Sequence, residues 1–146
     1  MTRILTRCWV ALSLFLYSVS ACPQENATEP LLSVKEVMTA LVVPTTNAIW
    51  RAQDVQSDAQ WLQLQNAAIA IIAAGDLTAR GGTGANDNRW ASEKEWQQYN
   101  DAMIAAARQA IVAIEKRDLE ALSEVGNSLL YPPCENCHAR YSQPPE

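Results

Sequence analysis

The chain has a single histidine and only four cysteines in 146 residues. A closed Cys/His zinc site needs four ligands, and with Cys8 and Cys22 claimed by the N-terminal segment only Cys134, Cys137 and His138 remain, which argues against an intramolecular one. One histidine also leaves no second imidazole for general acid–base work once the first is committed. Alternating apolar and polar runs are absent, which argues against strands. The one long apolar stretch, Cys8 to Tyr17, is interrupted only by Ser13 and is too short for a membrane-spanning helix. Basic side chains are outnumbered, eleven against sixteen acids. Such a balance argues against nucleic acid or an anionic membrane surface as partner.

What is present at the N-terminus reads as an export signal. Arg3 and Arg7 precede the apolar stretch, and the small residues Ser18-Val19-Ser20-Ala21 follow it, so residues 1–21 are expected to be removed. Val19-Ser20-Ala21-Cys22 resembles a bacterial lipobox, which implies a lipid on Cys22 as the first residue of the mature protein. The alternative is ordinary cleavage after Ala21, with Cys22 free or oxidised and the protein soluble in the periplasm. Pro23 after the cysteine, in place of Asp, resembles signals that sort to the outer membrane. Cleavage leaves 125 residues with nine basic and sixteen acidic side chains, a net charge of −7 and the size of one domain. Residues 22–32, with Pro23 and Pro30, form a polar tether.

From Ser33 onward the periodicity is helical. Val34, Val37, Met38, Leu41, Val42, Thr45, Ala48 and Ile49 keep the three-and-four spacing, with Ser33 and Glu36 placed as a capping box. Pro44 is expected to kink this helix. A second helix is expected over 58–79, with Trp61, Leu64, Ala68, Ile71 and Gly75 inward. Residues 81–88 read as a loop; the three glycines lack the preceding strand and the lysine of a phosphate loop. A third helix begins near Ser92, where Ser92 and Glu95 are spaced as a second capping box, and carries Trp96, Tyr99, Met103, Ala106, Ala110 and Ile114. After a polar turn at 115–118 the fourth carries Leu119, Leu122, Val125, Leu129 and Leu130. Pro132-Pro133 is expected to interrupt it, with Pro133 in the first turn of a new start. Trp50, Trp61, Trp90 and Trp96 fall at helix ends or on stripes and read as packing. Four helices with short links make an all-α bundle.

Cys134-Glu135-Asn136-Cys137-His138 is a C-x-x-C-H run, the attachment signature of a c-type haem. Two thiols at this spacing add across the porphyrin vinyl groups, and the adjacent imidazole then ligates the iron. On a helix, positions 134, 137 and 138 share one face. A thiol oxidoreductase pair would follow a strand, and none precedes this one. The cysteines are then all assigned: Cys8 leaves with the signal, Cys22 takes lipid, and Cys134 with Cys137 hold haem. Export agrees with this, since c-type haem is attached outside the bacterial cytoplasm.

A helical bundle with C-x-x-C-H near its end resembles the class II c-type cytochromes, cytochrome c′ and its low-spin relative cytochrome c556. The motif at 134–138, Tyr141 three residues beyond the histidine and the Ala-rich third helix carry the likeness, with weaker support from residues 38–41 and 116–119. It implies an antiparallel four-helix-bundle domain over residues 33–146 holding one covalent haem, with Cys134 and Cys137 as thioether anchors and His138 as proximal ligand. Arg140 and Tyr141 are expected to contact the haem or its solvent edge. The family's distal residue comes from the first helix, where Met38 is the candidate axial ligand. If Met38 only fills the core, Leu41 and Leu31 or Leu32 become candidates for the distal wall. Met103 reads as core. The resemblance thus implies a periplasm-facing one-electron carrier serving a redox partner protein, not an enzyme. The alternative is a five-coordinate binder of NO or CO. Pairing of two copies through the first two helices is a further expectation.

Overall fold

The computed structural model describes residues 29–142. The expected signal at 1–21, the lipidation site Cys22 and most of the tether lie outside the described residues. Among the described residues the chain is all-helical, with no strand. Four long helices and one short one surround a single main core, an arrangement compatible with a helical bundle.

The first helix starts where the side chains dictate. Ser33 Oγ accepts from the Glu36 N–H at 3.2 Å, and Glu36 Oε2 accepts from the Ser33 N–H at 2.8 Å, completing the capping box. The helix then runs in three registers: Val34–Val37, a π segment Met38–Val42, and Val43–Trp50. Within the π segment the Val43 N–H reaches back five residues to the Met38 carbonyl. Pro44 falls in the first turn of Val43–Trp50, where its missing N–H costs little. The extra residue per turn rotates everything downstream. Thr46 is therefore buried, and Ala48, expected inward, is exposed. The Thr46 hydroxyl donates to the Val42 carbonyl at 2.8 Å, which settles its polar atom.

The second helix, Asp58–Ala79, has the expected bounds, and Trp61, Leu64, Ala68, Ile71 and Gly75 are all buried. Ser57 caps it reciprocally with Gln60, a box the sequence reading missed. This helix packs most extensively on the fourth element, Lys94–Glu115, whose Ala107 and Ala110 are fully buried and let the backbones approach.

Between them the structure corrects two expectations. The loop is shorter than expected, because Asp87–Ala91 forms a helical turn. The capping box at Ser92 does not form: Ser92 closes that short helix, its hydroxyl donating to the Arg89 carbonyl at 2.7 Å, and Glu93 precedes the next helix without a side-chain cap. Gly81 has φ +90°, a conformation that other L-residues rarely adopt. Buried Asp87 draws the loop onto the first helix, its Oδ2 accepting from the Val34 and Gly84 N–H groups, both at 2.8 Å. The Thr83 N–H donates to the Leu32 carbonyl at 3.1 Å, fastening the described end of the tether.

After the turn at 116–118, Asp118 caps the last helix by accepting from the Ala121 N–H at 2.9 Å. The double proline does not interrupt this helix. Leu119–Glu124 passes into a π segment, Val125–Leu130, and then into Tyr131–Tyr141, with the prolines in its first turn. The Tyr131 N–H again reaches back five residues, to the Gly126 carbonyl. Leu122 and Leu130 are fully buried, whereas Leu129 is exposed.

Asp87→Ala leaves two backbone donors beside the loop without their acceptor, and each such loss costs about 1–3 kcal/mol. The urea midpoint should fall accordingly with an unchanged slope; a variant as stable as the parent would show that this carboxylate does not fasten the loop.

Candidate functional site

The two helices with π segments meet at a cavity of about 450 Å³. That volume lies within the range of small-molecule and cofactor sites. From the last helix, Pro133, Cys134, Cys137 and His138 line it; from the first, Met38, Val42, Thr46 and Trp50. Tyr99, Asn100 and Met103 close it from the Lys94–Glu115 helix. Residues separated by almost a hundred positions in sequence, Met38 and the 134–138 motif, therefore share one cavity.

The motif lies wholly on one regular helix, Tyr131–Tyr141, so the three-and-four spacing does place its side chains on one face. Cys137 is buried, Cys134 is half-buried, and His138 is exposed at the cavity. The two cysteines are free thiols and form no disulfide. Burial pushes the Cys137 thiol up to about 11, with the neighbouring Cys134 adding to the effect. Burial likewise raises the Cys134 thiol. Thiol oxidoreductases need the opposite, a thiol whose pKa is lowered by a helix N-terminus or a nearby cation. Among the described residues no three His, Cys, Asp or Glu side chains converge to hold a metal ion. The motif's two thiols and imidazole thus do not form an ion cage by themselves. The donor set instead fits a flat macrocycle, with sulfurs for its periphery, an imidazole for its centre and mostly apolar walls. Met38 lines the same cavity from the facing helix. Met38 is half-buried and packs against both core clusters.

Met103 is buried in the main core, and its side chain also reaches the cavity wall. The alternative distal-wall candidates do not line the cavity. Leu31 and Leu32 are exposed ahead of the helix, and Leu41 packs on the main core; Val42 and Thr46 occupy the wall instead. Arg140 and Tyr141 are also absent from the lining. Tyr141 is buried against Trp96, with ring centroids 4.9 Å apart, and its hydroxyl donates to Glu93 Oε2 at 2.9 Å. Arg140 sits over the Tyr141 ring at 5.5 Å and reaches the same carboxylate at 3.4 Å. The Tyr141 phenol, then Arg140 and Arg89, hold the Glu93 carboxyl below the usual carboxylate range.

Two wall residues escaped the sequence reading. Trp50 read only as packing, yet it lines the cavity, and its indole N–H donates to the Gly126 carbonyl at 2.9 Å across to the last helix. A Cβ at position 126 would stand 3.1 Å from Trp50 Cδ1, so glycine admits this contact. Asn100 is the other. It is buried, with its Oδ1 2.6 Å from the Thr78 hydroxyl and its amide donating to the Trp96 carbonyl at 2.9 Å. Trp96 in turn donates to the Thr78 carbonyl at 2.9 Å, a closed polar circuit behind the cavity. A lone Asn on a helical stripe gives no sequence signal for such a role. Trp50 at the end of a helix of interrupted register was equally silent.

Comparison with protein-family models, curated proteins and solved structures finds no match for this chain.

The raised Cys137 thiol predicts a pH profile for the chain before any attachment. Alkylation requires the thiolate, so its rate at Cys137 should keep climbing well above pH 9, toward about 11. Because the folded state keeps a proton that the unfolded thiol releases from about 9, this group also lowers folding stability as pH rises across that window. An alkylation rate that levels off by pH 9 would contradict the burial argument.

Proposed function

We propose that the protein is a c-type haem protein of the antiparallel four-helix-bundle class and acts as a one-electron carrier. The observation that carries this reading is the shared cavity, where the C-x-x-C-H helix faces Met38. Cys134 and Cys137 anchor the group through thioethers, His138 is its proximal ligand and Met38 its distal ligand. When bound, the haem supplies an iron that shuttles between ferric and ferrous states. Met38 offers a soft thioether, a ligand that favours the ferrous state and raises the potential. Val42, Met103 and Pro133 supply apolar wall beside the site.

The setting follows from the leader. Export across the inner membrane is required for haem attachment, and Cys22 holds the mature chain to the periplasmic side of a membrane by lipid, with the outer membrane favoured by Pro23. A tether confines the carrier beside membrane-bound redox partners and raises its effective concentration there. A Cys22→Ser protein should move to the soluble periplasmic fraction. One that still fractionates wholly with membranes contradicts the anchor.

A second reading rests on the half-buried position of Met38 between two core clusters. There Met38 remains a packing residue, and the open iron binds NO or CO. Optical spectra of the loaded protein, oxidised and reduced, separate the two. The carrier reading predicts a low-spin spectrum with a methionine–iron band and weak CO binding, and Met38→Ala should abolish the band and admit CO. A high-spin parent whose CO binding is unchanged by Met38→Ala contradicts it.

A further inference from the structure

Four aromatic rings form a connected path from the cavity to the surface. Tyr99 lines the cavity and meets Tyr141 edge-on at 6.4 Å. Tyr141 meets Trp96 at 4.9 Å and Trp90 at 5.7 Å, and the two indoles stack at 5.6 Å. Trp96 is buried and Trp90 half-exposed, so the path ends at solvent. Tyrosine and tryptophan are the most readily oxidised of the aromatic side chains. Tyrosine gives up an electron easily only where its proton can leave with it. The Tyr141 hydroxyl already points at a carboxylate, Glu93 Oε2, 2.9 Å away. Ring packing would be served as well by phenylalanine, which occurs once in the whole chain.

We propose that Tyr99, Tyr141 and the Trp90–Trp96 pair form an electron relay that carries oxidising equivalents out of the cavity when it meets a peroxide. The inference rests on the haem reading above. Hydrogen peroxide takes two electrons and two protons and yields two waters. The electrons pass inward one at a time, from Trp90 through Tyr141 and Tyr99 to the cavity, and a one-electron donor protein at the surface refills Trp90 between them, a proton returning from solvent. As Tyr141 is oxidised its phenol proton passes to Glu93, and as Trp90 refills Tyr141 the proton returns. Trp90, one electron short, loses its indole proton to solvent and becomes a neutral radical at the surface. The relay spares the residues that the cavity cannot lose, Met38 and Met103, from sulfoxidation.

The test treats the exported holoprotein with hydrogen peroxide and a nitroso spin trap, which bonds to carbon-centred radicals, and maps the adducts by peptide mass spectrometry. The visible haem bands are recorded first. The relay predicts adduct at Trp90, and loss of most of it in Tyr141→Phe, with oxidation moving back to Met38 and Met103. Simple solution attack on Trp90 would leave the adduct unchanged in Tyr141→Phe, and that result overturns the relay. Adduct at Tyr131 in place of Trp90 overturns it too, since Trp50 meets Tyr131 at 6.2 Å and offers a rival exit. Absence of haem bands overturns the haem reading and the relay together, whereas bands without Trp90 adduct overturn the relay alone.

Discussion

A one-residue widening of the helical register, made once in the first helix and once in the last, is the constraint on which the cavity depends. Each π segment lies just ahead of proline, at Met38–Val42 before Pro44 and at Val125–Leu130 before Pro132-Pro133. In an ordinary α-helix each proline would strip a carbonyl of its donor and press its ring on the preceding turn. A wider turn bonds five residues back, so the register shifts before the imino acid arrives. The helix continues, and its downstream face is rotated by one residue. That rotation brings Thr46 and Trp50 to the same cavity as Met38, and it sets Pro133, Cys134 and Cys137 opposite them. Single π turns of this kind recur at functional sites.

The two widened helices also hold each other. Trp50 donates across to the Gly126 carbonyl, inside the last helix's π segment, where glycine gives the indole room. Behind the cavity the Thr78–Asn100–Trp96 circuit satisfies every polar group it buries, so the wall is stiff without being charged. At the far end Glu93 gathers Tyr141, Arg140 and Arg89, clasping the end of the last helix to the start of the Lys94–Glu115 helix. These contacts place the C-x-x-C-H segment between two fixed points, so its thiols and imidazole are oriented by the fold.

Where helical period was unbroken, sequence and structure agree closely. The second helix has the bounds its stripe implied, and Trp61, Leu64, Ala68, Ile71 and Gly75 are inside as expected. Ser33 with Glu36 is equally legible, because a capping box is a local device whose two partners sit three residues apart. Disagreement begins at the prolines. Read with a constant 3.6-residue period, the first helix turns Ala48 inward and the last turns Leu129 inward; both are exposed, because a π turn leaves no mark in hydrophobic spacing. Asp87 and the short helix it starts were hidden for another reason. The carboxylate's partners are backbone N–H groups, one of them fifty-three residues away, and no side-chain pattern encodes them. The motif was readable as chemistry, but that Met38 shares its cavity with Cys137 follows only from tertiary packing. Arg140 and Tyr141 were placed by nearness in sequence; the packing of Tyr141 in the aromatic cluster around Trp96, with Arg140 over its ring, follows only from tertiary structure.

Whether Cys134 and Cys137 become covalent haem anchors, as proposed above, is decided by intact-mass analysis of the exported protein under denaturing conditions. The expected mass is that of the mature chain plus one haem, retained after unfolding and acid extraction, with neither cysteine open to alkylation. A mature chain with no added haem, and both thiols alkylated once unfolded, would contradict it.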